Sequence, residues 1–174
     1  MSPFLARAVY WPTFGWNLLL GRILRIRHWW DEIDPHVILG ARPLRSDIPV
    51  LAKNWRVAAV VNMCEEFSGP VDLYREFGIE QLWLPTTDFH VPSLEDVKRG
   101  VEFIQKYASE NQRVYVHCKA GRARSATVVI CWLVKYRGLT LPEAQRRLIE
   151  KRPHVNTRLQ ERQVVQEFCE SPPP

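Results

Sequence analysis

An α/β fold is predicted by three features of this sequence. Short runs rich in β-branched and apolar residues, at 36–40, 57–62, 79–84 and 113–117, alternate with segments of helical periodicity. Clusters of proline, glycine and serine separate the two kinds of segment. One run, ending at His117, leads through a glycine-bearing loop directly into a long apolar stretch, the pattern of strand, loop and buried helix.

Taken in order, residues 1–30 carry Arg7, Arg22, Arg25 and Arg27 but no Asp, Glu or Lys. Most of the chain's net charge of +5 therefore lies there. Phe14, Trp16, Leu18, Leu19, Leu20, Ile23 and Leu24 make the same stretch apolar. Arg22 interrupts it before it reaches the roughly 18–20 residues a spanning helix needs. Its positive charge falls mostly after the apolar part, opposite to a secretory signal. Segment 1–28 reads as a mitochondrial targeting segment, an interfacial helix on an anionic membrane, or a helix packed on the domain. The folded domain is expected over 29–170, with 171–174 a frayed tail.

Within the domain, Asp34-Pro35 marks a turn before the strand at 36–40. Residues 48–54 are a short helix or loop, and 57–62 a buried strand. Ser68-Gly69-Pro70 is a loop signal; 73–77 form a helical turn or two, closed by Gly78; 79–84 are a third strand. Prolines 85 and 92 bound a loop containing Asp88. Ser93 caps a helix whose stripe is Val97, Val101, Ile104 and Ala108. After the strand at 113–117, residues 126–136 are apolar nearly all round and so form a central buried helix, ended by Gly138. Thr140 to Glu143 caps another helix reaching about Lys151, and 158–168 form the last.

The length suits one domain with a substantial core. Four widely separated cysteines show no disulfide framework, and a working thiolate among them favours a reducing compartment. Outside the N-terminus there is no long basic stripe, so nucleic acid is not an expected partner.

The chemistry concentrates at His117-Cys118-Lys119-Ala120-Gly121-Arg122-Ala123-Arg124-Ser125. Cys-x5-Arg spacing alone is weak, for it recurs from Cys131 to Arg137 in a stretch without glycine that reads as helix interior. The first copy has Gly121 to turn the backbone amides toward an anion and Ser125 at a helix N-terminus. Beside cations at such a site a thiol pKa falls from about 8.5 to about 3.5–7.5. Cys118 is then a nucleophile for phosphorus, and Arg124 a planar fork for two phosphate oxygens. The amides of Lys119, Ala120, Gly121, Arg122, Ala123 and Arg124 bind the others, Ser125 donates to the sulfur, and His117 braces the loop through its ring N–H. Zinc is disfavoured, since His117 and Cys118 are adjacent and no Cys-x2-Cys partner exists. Asp88, on a loop after a strand, is the candidate general acid, with a turn-capping role as the alternative. Glu65 and Glu66 line the pocket mouth or are solvated charges.

These nine residues resemble the signature of the protein-tyrosine and dual-specificity phosphatases. The resemblance implies a central mixed sheet flanked by helices, a phosphocysteine intermediate, and neither metal nor cofactor. With Trp29 to Pro35 and Leu39 to Ser46, it extends over about residues 10–168 to the mitochondrial branch that hydrolyses phosphatidylglycerophosphate to phosphatidylglycerol in cardiolipin synthesis. That branch implies a phospholipid substrate at the matrix face of the inner membrane, with a cytoplasmic enzyme acting on phosphotyrosine and phosphothreonine proteins as the alternative. Its Glu-Glu-Tyr-Glu pocket loop corresponds here to Glu65-Glu66-Phe67-Ser68, so the ring is kept while the hydroxyl and one acid are lost. Ala123 stands where a serine is common.

Overall fold

Strand β5 (Arg113–His117) lies at the centre of a five-stranded sheet. The computed structural model describes residues 3–170, with side chains from residue 8. The other strands are β1 (Trp30–Asp34), β2 (Val37–Gly40), β3 (Val57–Cys64) and β4 (Glu80–Thr86), in the order β1-β2-β5-β3-β4. β1 is antiparallel to β2, and the remaining pairs are parallel. β2 and β5 are nearly continuous runs of buried residues, as expected of strands covered on both faces.

One face is covered by helices α4 (Leu94–Ser109), α5 (Arg124–Arg137), α6 (Leu141–Lys151) and α7 (Gln163–Glu170), which share the larger core. The other carries α2 (Ile48–Lys53) and α3 (Val71–Glu76) around Ile38, Leu51, Val60 and Tyr115. Every residue of α5 from Arg124 to Leu133 is buried, and the helix stops at Gly138, whose φ of 65° is the left-handed cap conformation.

Register fixes where the loops meet. Gly40 and Asn62 both lie opposite His117, and Cys64 lies opposite Thr86. The carboxyl ends of β2, β5, β3 and β4 therefore share one edge, where open α/β sheets hold their ligands. Residues 41–42, 118–124, 65–67 and 87–89 leave the sheet there.

Three elements differ from the sequence expectations. β1 was not expected, because Asp31, Glu32 and Asp34 make it look like surface loop. Each acid is met by a distant arginine: Arg152, Arg113 and Arg137 respectively. β4 runs on through Pro85 because it is an edge strand, where a missing N–H is tolerated. α7 begins at Gln163, since the Gln145 side chain accepts the amides of Leu159 and Gln160 and holds that segment in turns. The expected frayed tail lies outside the described residues.

The part of the N-terminal segment whose side chains are described, though distinct in composition, is packed on the domain from Tyr10 to Arg22. It forms α1 (Pro3–Leu18) and a wider π-helical turn over Leu19–Ile23. Tyr10 and Phe14 are buried with Trp29 and Ala41. Arg22 pairs with Asp47 and lies 4.6 Å from the centre of a Trp29 ring. No described helix is long and apolar enough to cross a membrane.

The closeness of β2 to β5 gives a stability test. A Cβ at Gly40 would overlap the Tyr115 ring, whose hydroxyl donates to the Ala41 carbonyl at 2.5 Å. Gly40→Ala should cost about 1–3 kcal/mol through overpacking. At about 2–4 °C per kcal/mol, that lowers Tm by about 2–12 °C in a calorimetric scan; an unchanged Tm would contradict the packing.

Candidate active site

The loop after β5 is held from outside by its carbonyls. Lys119 O accepts from the Arg42 amide at 3.2 Å, and Arg122 O from the Asn156 amide at 2.9 Å. Between them, Ala120 O and Gly121 O accept from Nη2 and Nε of Arg152, at 3.0 and 2.8 Å. In a trans peptide the next N–H points opposite to the carbonyl. The amides of Ala120, Gly121, Arg122 and Ala123 therefore turn toward the loop's interior. Gly121 has φ 63°, and a Cβ there would meet the Gly40 carbonyl as well as Arg152. Two independent constraints thus require glycine. Arg152 is fully buried at the end of α6 and its charge is met by Asp31.

Cys118 lies at the floor of this cradle, 3% exposed. Burial alone would push its thiol up. The Arg124 guanidinium, the Ser125 hydroxyl and the amides of Ser125 and Arg122 outweigh burial and bring it to about 6. Ser125 Oγ donates to Sγ at 3.3 Å. Cys64 and Cys131 are buried too, and for them burial prevails and raises the thiol. His117 is fully buried where β5 passes into the loop, against the backbone of Cys118. Burial lowers its pKa to about 3, so the ring is neutral, and it packs between Tyr115 and Phe67.

Opposite the thiol stands a buried ionic network. Arg124 Nη2 donates to Asp88 at 2.9 Å; Nη1 donates to Glu66 at 3.1 Å and to the Thr86 carbonyl at 2.6 Å. Glu66 also accepts the Asp88 amide at 2.7 Å, so it lies inside the site and orients both Arg124 and the Asp88 loop. Glu65 accepts from the Thr87 hydroxyl at 2.7 Å and braces the same loop. The other Asp88 oxygen pairs with Lys119 Nζ, which also donates to Thr13 Oγ1 of α1 at 2.6 Å. Thr13 Oγ1 in turn donates to the Val9 carbonyl at 2.6 Å, so donors and acceptors match along the chain. Phe67 faces Arg42, its ring centre 4.1 Å from the guanidinium carbon.

The structure thus gathers Cys118, Arg124, Ser125, Asp88, Glu66 and the loop amides around one space. It also brings in Arg152, Arg42 and Thr13, which sequence reasoning did not single out. Arg152 precedes a proline at a helix end and reads there as an ordinary capping cation. Thr13 lies in a segment read for its charge and apolarity. No group of three or more His, Cys, Asp or Glu among the described residues is placed to hold a metal ion.

The arrangement provides a thiolate at neutral pH, a ring of inward amides, an arginine fork and a carboxylate above them. Alkylation of Cys118 by iodoacetamide should therefore rise with pH through a midpoint of about 6 and level off more than about one unit higher, where the thiolate fraction saturates. Ser125→Ala should move the midpoint upward, since the anion loses a donor. A midpoint near 8.5, the ordinary thiol value, would contradict this electrostatic account.

Comparison with known proteins agrees with this geometry. Residues 37–169 match the family described as "Dual specificity phosphatase, catalytic domain". An Arabidopsis thaliana phosphatidylglycerophosphate phosphatase, PTPMT2, is 38% identical over 165 residues, covering 93% of this chain and 72% of the relative. The Homo sapiens phosphatidylglycerophosphatase and protein-tyrosine phosphatase 1 is 38% identical over 172 residues, covering 94% of this chain and 86% of the relative. Among solved structures, PTPMT1 in complex with PI(5)P superposes with a TM-score of 0.75 at 35% identity, covering 82% of this chain and 96% of that one. The chain belongs to the dual specificity phosphatase family of cysteine-dependent phosphatases.

Proposed function

We propose that this protein hydrolyses phosphatidylglycerophosphate to phosphatidylglycerol at an anionic membrane surface, with Cys118 as nucleophile and Asp88 as general acid. The terminal phosphate enters the loop, where the inward amides and Arg124 bind its oxygens. Asp88 now bonds Arg124, so the incoming phosphate takes over that donor and leaves Asp88 facing the ester oxygen. Once Arg124 has turned to the phosphate, Asp88 takes up a proton from solvent; the Cys118 thiolate attacks phosphorus, the P–O ester bond breaks, and Asp88 gives that proton to the departing alcohol. Water then attacks the phosphocysteine while the Asp88 carboxylate accepts its proton. Phosphate departs, and Ser125 stabilises the returning thiolate. Glycerol is a poor leaving group, so the acid bears heavily on this substrate.

The observation that carries the lipid reading is the apolar rim beside the site. Trp11 of α1 is 62% exposed, and Phe89 and Val91, next to the acid, are 59% and 50% exposed. Ile23, Leu24 and Ile26 are exposed around Arg25 on the turn after α1. Aromatic and aliphatic side chains interleaved with arginine suit the boundary of an anionic bilayer. The acid-free N-terminus also suits a mitochondrial address, at the matrix face of the inner membrane. The human relative's name carries protein-tyrosine phosphatase activity as well, so phosphopeptides are the competing substrates.

Phosphate release from phosphatidylglycerophosphate in vesicles should exceed release from phosphotyrosine and phosphothreonine peptides by at least about ten-fold in kcat/KM, or about 1.4 kcal/mol. Higher rates on the peptides would overturn the substrate assignment. Cys118→Ser should abolish turnover on both. Asp88→Ala should slow alkyl phosphates by about 10²–10⁴-fold, the usual worth of a general acid, and activated aryl phosphates far less. Equal slowing would point to another acid.

A further inference from the structure

We propose that Arg42 forms a second anion subsite at the edge of the phosphate loop, one that binds the phosphodiester of a substrate carrying two phosphates. This rests on the lipid substrate proposed above. Arg42 follows β2, and its amide is bonded to the carbonyl of Lys119, the residue after the nucleophile. It is therefore fixed to the rim of the cradle.

Among the described residues its charge is not met by a carboxylate, a condition it shares with Arg122, which bonds the His154 carbonyl, and Arg162, which bonds the Thr127 hydroxyl. Arg22, Arg113, Arg124, Arg137 and Arg152 each pair with a carboxylate. Arg42 is half-buried, yet among the described residues no carboxylate lies within ion-pair distance of it. Its Nε is buried without a partner, and Nη1 makes one long bond of 3.4 Å to the Tyr10 hydroxyl. A desolvated cation without a counter-ion is costly unless an anion arrives to meet it. What holds it is aromatic: Phe67 lies 4.1 Å away, Phe14 4.5 Å and Trp11 5.3 Å, from the β3–α3 loop and from α1. Cation–π contacts fix the guanidinium but leave its N–H donors for a ligand. A planar fork suits two phosphate oxygens.

The geometry of the lipid fits that placement. In phosphatidylglycerophosphate a three-carbon glycerol joins the terminal monoester to the diester. With the monoester above Cys118, the diester leaves the loop at its rim. Arg42 and the N-terminal helix that cages it thus distinguish a two-phosphate lipid from a simple monoester.

The test compares two soluble esters without a membrane: glycerophosphoglycerophosphate, which keeps the diester, and glycerol 3-phosphate, which lacks it. Arg42→Met should raise KM for the first by about ten-fold or more, as loss of a charged hydrogen bond does, and by under about two-fold for the second. Arg42→Lys, which keeps the charge but not the fork, should fall between. Equal changes on both esters, or none on either, would overturn the subsite. A merely structural clamp between α1 and Phe67 would lower Tm and slow both esters alike. The wild-type rate on phosphopeptides bears on the substrate assignment alone, so the two failures are distinguishable.

Discussion

The site depends on one buried guanidinium. Arg152 stands at the end of α6, far along the chain from the nucleophile, and grips two successive carbonyls of the loop that follows β5. Burying an arginine is expensive, and here Asp31 of the edge strand offsets it. The arrangement orients the loop. With the carbonyls of residues 119–122 turned outward to donors, the next four amides face inward, and a substrate's negative charge meets dipoles that need no reorganisation. The same inward field, joined by Arg124 and Ser125, explains why Cys118 is anionic near neutrality while Cys64 and Cys131, equally buried, are not.

A second network sets the resting state. Arg124 is held by Glu66, the Thr86 carbonyl and Asp88, so the phosphate-binding fork and the acid neutralise each other until an anion enters. Substrate binding and acid release become one event. Lys119 extends this network to Thr13, which makes α1 part of the active-site wall. A segment whose composition suggests an address is, in the folded protein, also in contact with the machinery.

Much of this was legible in the sequence because it is local. The glycine-bearing loop between a strand and an apolar helix announced Cys118, Arg124 and Ser125, and proline-bounded residues 85–92 announced Asp88. What stayed hidden depends on partners remote in sequence. β1 looks like a polar loop until Arg113, Arg137 and Arg152 are seen to match its acids. Glu66 looked like a rim charge but lies within the site, because β3 and β4 are adjacent and parallel. Arg42 and Thr13 carry no local signal either; they matter because α1 folds back on the loop.

The central claim is that outward carbonyl anchoring by Arg152 creates the anion site. It is tested most directly by the affinity of Arg152→Lys for tungstate, measured as a competitive inhibition constant under conditions where circular dichroism shows the variant folded. Lysine keeps a charge for Asp31 but cannot offer a planar fork to both carbonyls. The account predicts binding weaker by about ten-fold or more, the worth of one to two hydrogen bonds that preorganise the loop. Tungstate affinity equal to wild type in the folded variant would contradict it.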